Sequence, residues 1–159
     1  RQARSVFFEV TQSLASTSTA SGPPSIAEIR LWMRDVCADD NYLLDSVEFT
    51  DAEIAAAIRA PVDEWNATPP PVNTYTVASF PYRYPWVRAI IMNLLEMRAR
   101  QLSRNSVRIG IAGGQIDETA KAGEYMTLAS QLRMEWKEWM TRTKVMLNMK
   151  RGYGAVTYG

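Results

Sequence analysis

The chain has 159 residues, 47% of them hydrophobic and 22% charged, the make-up of a folding domain that buries a core of its own. It holds no histidine and one cysteine, which excludes Ser-His and Cys-His nucleophile systems, a Cys/His zinc site and an internal disulfide. A net charge of +1 hides an asymmetry: residues 1–80 carry five basic and eleven acidic side chains, residues 81–159 thirteen and six.

The first 24 residues read as an arm and a linker. In "RQARSVFFEVTQSL", Val6, Phe8 and Val10 alternate like a strand, while Phe7, Val10 and Leu14 suit a helix face equally well. "ASTSTASGPP" follows, a run of small residues with nothing to build a core. Ser25 and Glu28 then have the spacing of a capping box, and Ile26, Ile29, Trp32, Met33 and Val36 share one helical face over 25–37. Cys37 falls at the end of that helix and reads as a buried structural thiol. Leu43, Leu44 and Val47 are expected to pack down the acidic loop beyond it.

Thr50 and Glu53 repeat the capping spacing. Ile54, Ile58 and Trp65 mark the next apolar face, with Pro61 placed to kink or break the helix. "NATPPPVNTYTVASFPYRY" cannot be regular helix, and its Asn-Ala-Thr triplet reads as an accidental glycosylation sequon. Pro85 suits the first position of a central, buried helix with Val87, Ile90, Ile91, Leu94, Leu95 and Met97 on its stripe. At residues 106–117 the period changes. Val107, Ile109 and Ile111 alternate, Gly113-Gly114 supplies a turn and Ile116 resumes, the pattern of a β-hairpin. The last helix is expected from about Glu118 to Met149, with Tyr125, Leu128, Leu132, Trp136, Trp139 and Met146 as its packing face. "KRGYGAVTYG", residues 150–159, then alternates bulky and small residues, as a segment that adds to another protein's sheet edge does.

The expected fold is therefore mainly α: a helical bundle over 25–149 with a short β-hairpin insertion at 106–117 and an extended C-terminal tail at 150–159. The carboxylates of Asp39, Asp40 and Asp45, and of Asp63 and Glu64, read as solvated loop and helix-start charges. Nothing asks for a catalytic residue, a cofactor or a metal. Arg88, Arg98, Arg100 and Arg104 on one helix, with Lys121, Arg133, Lys137, Arg142 and Lys144 on the next, form a basic side that suits phosphates without reading sequence.

"IAEIRLWMRDVCADDNYLLDSVEFTDAEIAAAIRAPVDEWNATPPP" and "NSVRIGIAGGQIDETAKAGEYMTLASQLRMEWKEWMTRTKVMLNMKRGYGAVTYG" resemble, in order and texture, the neck proteins of tailed bacteriophages. The family they resemble most is the head-to-tail connector, or adaptor, over roughly residues 25–159. That resemblance implies a non-enzymatic virion protein, assembled in the host cytoplasm, without cofactor and away from membranes. It implies a homo-oligomeric ring, usually twelvefold, around the DNA exit channel, with the portal and other neck or tail proteins as partners. The tail would engage the portal through Lys150, Arg151, Tyr153, Val156 and Tyr158, and the hairpin would project from the ring. Arg98, Arg100, Arg104 and Arg108 would face the packaged DNA or the neighbouring subunit. Two alternatives share this texture: a tail-completion or baseplate protein, and a helical accessory protein that binds DNA without sequence preference.

Overall fold

The computed structural model describes residues 22–37, 46–104, 109–111, 114–116 and 118–153. These form four helices, α1 (Ile26–Met33), α2 (Asp51–Ala67), α3 (Arg83–Arg104) and α4 (Glu118–Tyr153). Two three-residue segments, β1 (Ile109–Ile111) and β2 (Gly114–Ile116), pair antiparallel between α3 and α4, with Ile109 opposite Ile116 and Ile111 opposite Gly114. The fold is mainly helical, as expected. The β-hairpin expected at 106–117 is not supported: beyond these two short segments that stretch lies outside the described residues, and Gly114, expected in the turn, belongs to the second segment. The arm at 1–21 also lies outside the described residues.

α3 is the central helix. Trp86, Val87, Ile90, Met92, Leu94 and Leu95 are all buried on it, against α2 on one side and α4 on the other. Pro85 is its third residue rather than its first, still within the opening turn, where no intrahelical partner waits for an amide. α4 meets α3 along Ala122, Ala129, Trp136 and Met140. The expected packing face is corrected in part. Tyr125, Leu132 and Trp139 are half-buried, but Leu128 and Met146 are exposed, and two alanines, Ala122 and Ala129, are buried on that face instead.

α1 stops earlier than its apolar pattern. It ends at Met33, and Arg34 turns left-handed at φ 58°. The Asp35 amide donates to the Arg30 carbonyl at 2.9 Å and the Arg34 amide to Leu31 at 3.3 Å, a Schellman ending built on arginine instead of glycine. Buried Asp35 imposes it: its carboxylate accepts from the amides of Glu48 (2.6 Å) and Phe49 (3.0 Å) and from Arg30 Nη1 (3.1 Å). Val36, Cys37 and Val47 consequently lie on the surface rather than in the core. Pro24, assigned to the linker, is buried.

The first capping box is only half made. The Ser25 hydroxyl accepts from the Glu28 amide at 3.1 Å, but the Glu28 carboxylate pairs with Arg83 instead of reaching back. The second is complete: Thr50 Oγ1 accepts from the Glu53 amide (3.3 Å), and Glu53 Oε2 accepts from the Thr50 amide (2.7 Å). Pro61 does not break α2, which runs unbroken from Asp51 to Ala67. The ring is buried, and three residues before it the Ile58 carbonyl accepts from the Trp86 indole at 2.9 Å.

Candidate functional site

The end of α4 is the part of the molecule least committed to its own core. α3 spans about 33 Å and α4 about 54 Å at 1.5 Å per residue. They run antiparallel: Arg98 meets Glu48 beside Tyr125, Arg88 pairs with Glu135, and Tyr84 lies with Trp139 in one notch. The first turn of α3 therefore ends near Trp139, and residues 141–153 of α4 continue past it.

What braces this overhang is the proline-rich segment after α2, which the sequence marks only as irregular. Lys144 is 1% exposed. Its ammonium donates to the carbonyl of Thr68 and to that of Pro70 (3.3 Å), and lies 5.1 Å from the centre of the Trp65 ring. Burial pushes its pKa below the usual lysine value. Arg151 donates to the Asn73 side chain. The segment is held in turn by α2: the Trp65 indole donates to the Asn73 carbonyl at 3.1 Å, and Asn66 bonds both backbone groups of Tyr75 (2.8 and 3.0 Å). That pairing occupies the side chain of the apparent sequon. Trp65 packs with Tyr75, Phe80, Tyr82 and Trp139 in one aromatic cluster.

The other side of the overhang faces outward. Val145, Met146 and Met149 are exposed, the last at 55%. Met149 stands four residues from Val145 and three from Met146, so the three form one apolar strip a little over one turn long. Lys150 and Arg151 are exposed and helical, and α4 continues to Tyr153. The expected tail therefore does not begin at Lys150. The helix carries on because Arg151 is anchored to Asn73, and basic residues in a last turn suit its dipole. Val156 and Tyr158 lie outside the described residues.

The expected basic face does not hold together. Arg98 is 14% exposed at its side chain and bonds Glu48 at 3.0 Å and Gln101 at 2.8 Å. Arg133 bonds Glu96 at 2.7 Å, and Lys144 is internal. Arg100 and Arg104 are exposed one turn apart on α3, Arg100 in loose contact with Glu96 at 3.4 Å. Arg108 lies outside the described residues. Among the carboxylates expected to be solvated, Glu64 accepts from the Trp136 indole at 2.9 Å, while Asp39, Asp40 and Asp45 are not described.

Among the described residues no helix is long and apolar enough to cross a membrane, and no group of three or more acidic or thiol side chains is placed to hold a metal. Comparisons with protein-family models, with curated proteins and with solved structures give no match to this chain.

The lysine clamp and the outward methionine strip are what sequence reasoning missed. Lys144 looked like one more surface cation. The one available signal was its position one residue off the Ala129–Trp136–Thr143 line, a seven-residue spacing that keeps those positions on the buried face.

Proposed function

We propose that this chain is a structural, non-enzymatic protein of a tailed-phage neck, forming a ring that joins portal to tail around the DNA path. The observation that supports this most is the overhanging end of α4. A helix that outruns its partner, is braced on one side and carries Val145, Met146 and Met149 bare on the other is built to meet another chain. In this reading residues 154–159 follow that strip onto the portal, and Lys150, Arg151 and Tyr153 belong to the helical part of the contact. The segment at 106–117 projects from the ring. The acidic front and basic rear of the sequence favour a head-to-tail contact, in which one face meets a different face of the next copy. Of the four arginines expected to face the channel or a neighbour, Arg100 and Arg104 are exposed and serve that role in this reading. The engagement of Arg98, Arg133 and Lys144 inside the fold weighs against the reading as a free DNA-binding protein.

Sedimentation and electron micrographs of the full chain test this directly. Closed rings are expected, and a Val145→Glu/Met149→Glu double variant is expected to remain monomeric with unchanged helical circular dichroism. A chain ending at Tyr153 keeps α4 whole and is expected to lose portal binding. A wild-type chain that stays monomeric at every concentration, alone and mixed with portal rings, overturns the reading. Labelled copies located elsewhere than the neck in whole particles give the protein to the tail tip or baseplate instead.

A further inference from the structure

A second unpartnered feature lies on the other flank of α4, between it and the start of α3. Tyr84, Pro85, Leu132, Trp136 and Trp139 line a notch of about 180 Å³, with the Arg88–Glu135 ion pair at its rim. The notch is too small for a drug-sized ligand, whose sites run from about 300 Å³. It suits one aromatic ring, since an apolar cavity of about 150 Å³ takes a benzene. Beside it, exposed Trp32 (52%) meets Tyr84 edge-on, with ring centres 6.4 Å apart, and extends the apolar shelf.

The chain itself delivers a candidate to this place. Gly22, where the described structure begins, has its carbonyl bonded by Arg83 Nη1 at 2.9 Å, and Arg83 directly precedes Tyr84. The polypeptide thus leaves the described fold from a fixed point bonded to the residue next to Tyr84. Upstream lie consecutive phenylalanines, Phe7 and Phe8, joined to Gly22 through residues 9–14 and then a run of small residues at 15–21. From Phe8 to Gly22 the chain reaches up to about 46 Å when extended, ample for a return to the notch. Because the two phenylalanines are adjacent, one of them lies on the apolar side whether the arm pairs as a strand or coils as a helix.

We propose that this notch seats the chain's own N-terminal arm, with one phenylalanine of the Phe7-Phe8 pair filling it. The seat is intramolecular, because the anchor at Arg83 holds the arm's base next to its own notch and gives the arm a high effective concentration there. Arg4, four residues before Phe8, has the charge to answer Glu135 at the rim.

Disulfide trapping in the full chain, with Cys37→Ser to remove the native thiol, tests this. Glu9→Cys reports the arm without touching either phenylalanine. It is paired with Glu135→Cys at the notch or, as control, with Ala56→Cys on the exposed side of α2. The tether alone favours the notch, so the comparison is made by removing the phenylalanines: a seated arm forms the notch disulfide, within one chain, about tenfold faster than the same arm carrying Phe7→Ala and Phe8→Ala. The rate at Ala56 is expected not to fall with those substitutions. A notch rate unchanged by loss of both phenylalanines, an equal fall at both positions, or a product formed between copies and lost on dilution each overturns the proposal.

Discussion

Lys144 shows how one side chain can change its meaning between sequence and structure. As a formal charge it belongs to a basic face; in the fold it is a donor that fastens the proline-rich segment to α4 through the carbonyls of Thr68 and Pro70. Its stem packs beside Trp65, so Lys144→Met keeps most of the apolar volume and removes the donor. The Thr68 carbonyl then loses the lysine donor, while that of Pro70 keeps the Val72 amide at 2.8 Å, and a cost of about 1–3 kcal/mol is expected, read as a lower urea midpoint. The pH dependence has a definite sign. Burial lowers the folded-state pKa, so between that value and the ordinary lysine value of 10.5 the unfolded chain holds more protons and folding gains as pH rises. The advantage of wild type over Lys144→Met is therefore expected to widen as pH climbs towards 10.5.

At the scale of elements, helix starts and stops follow different rules here. Starts are local: Thr50 and Glu53 close a complete box within four residues. Thr50→Ala is expected to cost about 1 kcal/mol in chemical denaturation. Ser25→Ala is expected to cost less, because Glu28 is engaged with Arg83 and closes no reciprocal bond. Stops are tertiary. α1 ends where Asp35 must turn inward to collect the amides of Glu48 and Phe49, and α4 passes its expected end because Arg151 finds Asn73. The buried proline in α2 belongs with the stops. Its local cost is real, but the helix continues because the core on both sides of Pro61 is already packed.

Across the whole molecule, the acidic front and basic rear of the sequence meet within one chain as well as offering opposite faces to others. Glu48, before α2, takes Arg98 of α3 at 3.0 Å and the Tyr125 hydroxyl of α4 at 3.1 Å, tying three parts of the fold at one point. Burial, then the neighbouring Glu48 charge and its hydrogen bond, push the Tyr125 pKa up to about 12 against the opposing pull of Arg98. The neutral hydroxyl is the form the fold prefers, so its contribution is complete below the ordinary tyrosine value of 10.0 and is lost as pH rises through about 12. Wild type is expected to lose stability across that window, and Tyr125→Phe to flatten the loss in urea midpoints measured against pH.

The sequence by itself determined the helical class, the order of the helices and most of the stripe of α3, because period, caps and prolines are local signals that a single segment carries complete. It also carried the buried positions Ile54, Ile58 and Trp65 of α2, which repeat at helical spacing. It did not disclose that Ala122 and Ala129 are buried positions of α4, nor that Arg98 and Lys144 are internal. Nor did it disclose the outward strip of Val145, Met146 and Met149. Those were decided only in three dimensions, since an alanine, a lysine or a methionine is tolerated on either side of a helix. Its burial depends on which partners arrive from distant parts of the chain: Glu48 for Arg98, and Thr68, Pro70 and Trp65 for Lys144.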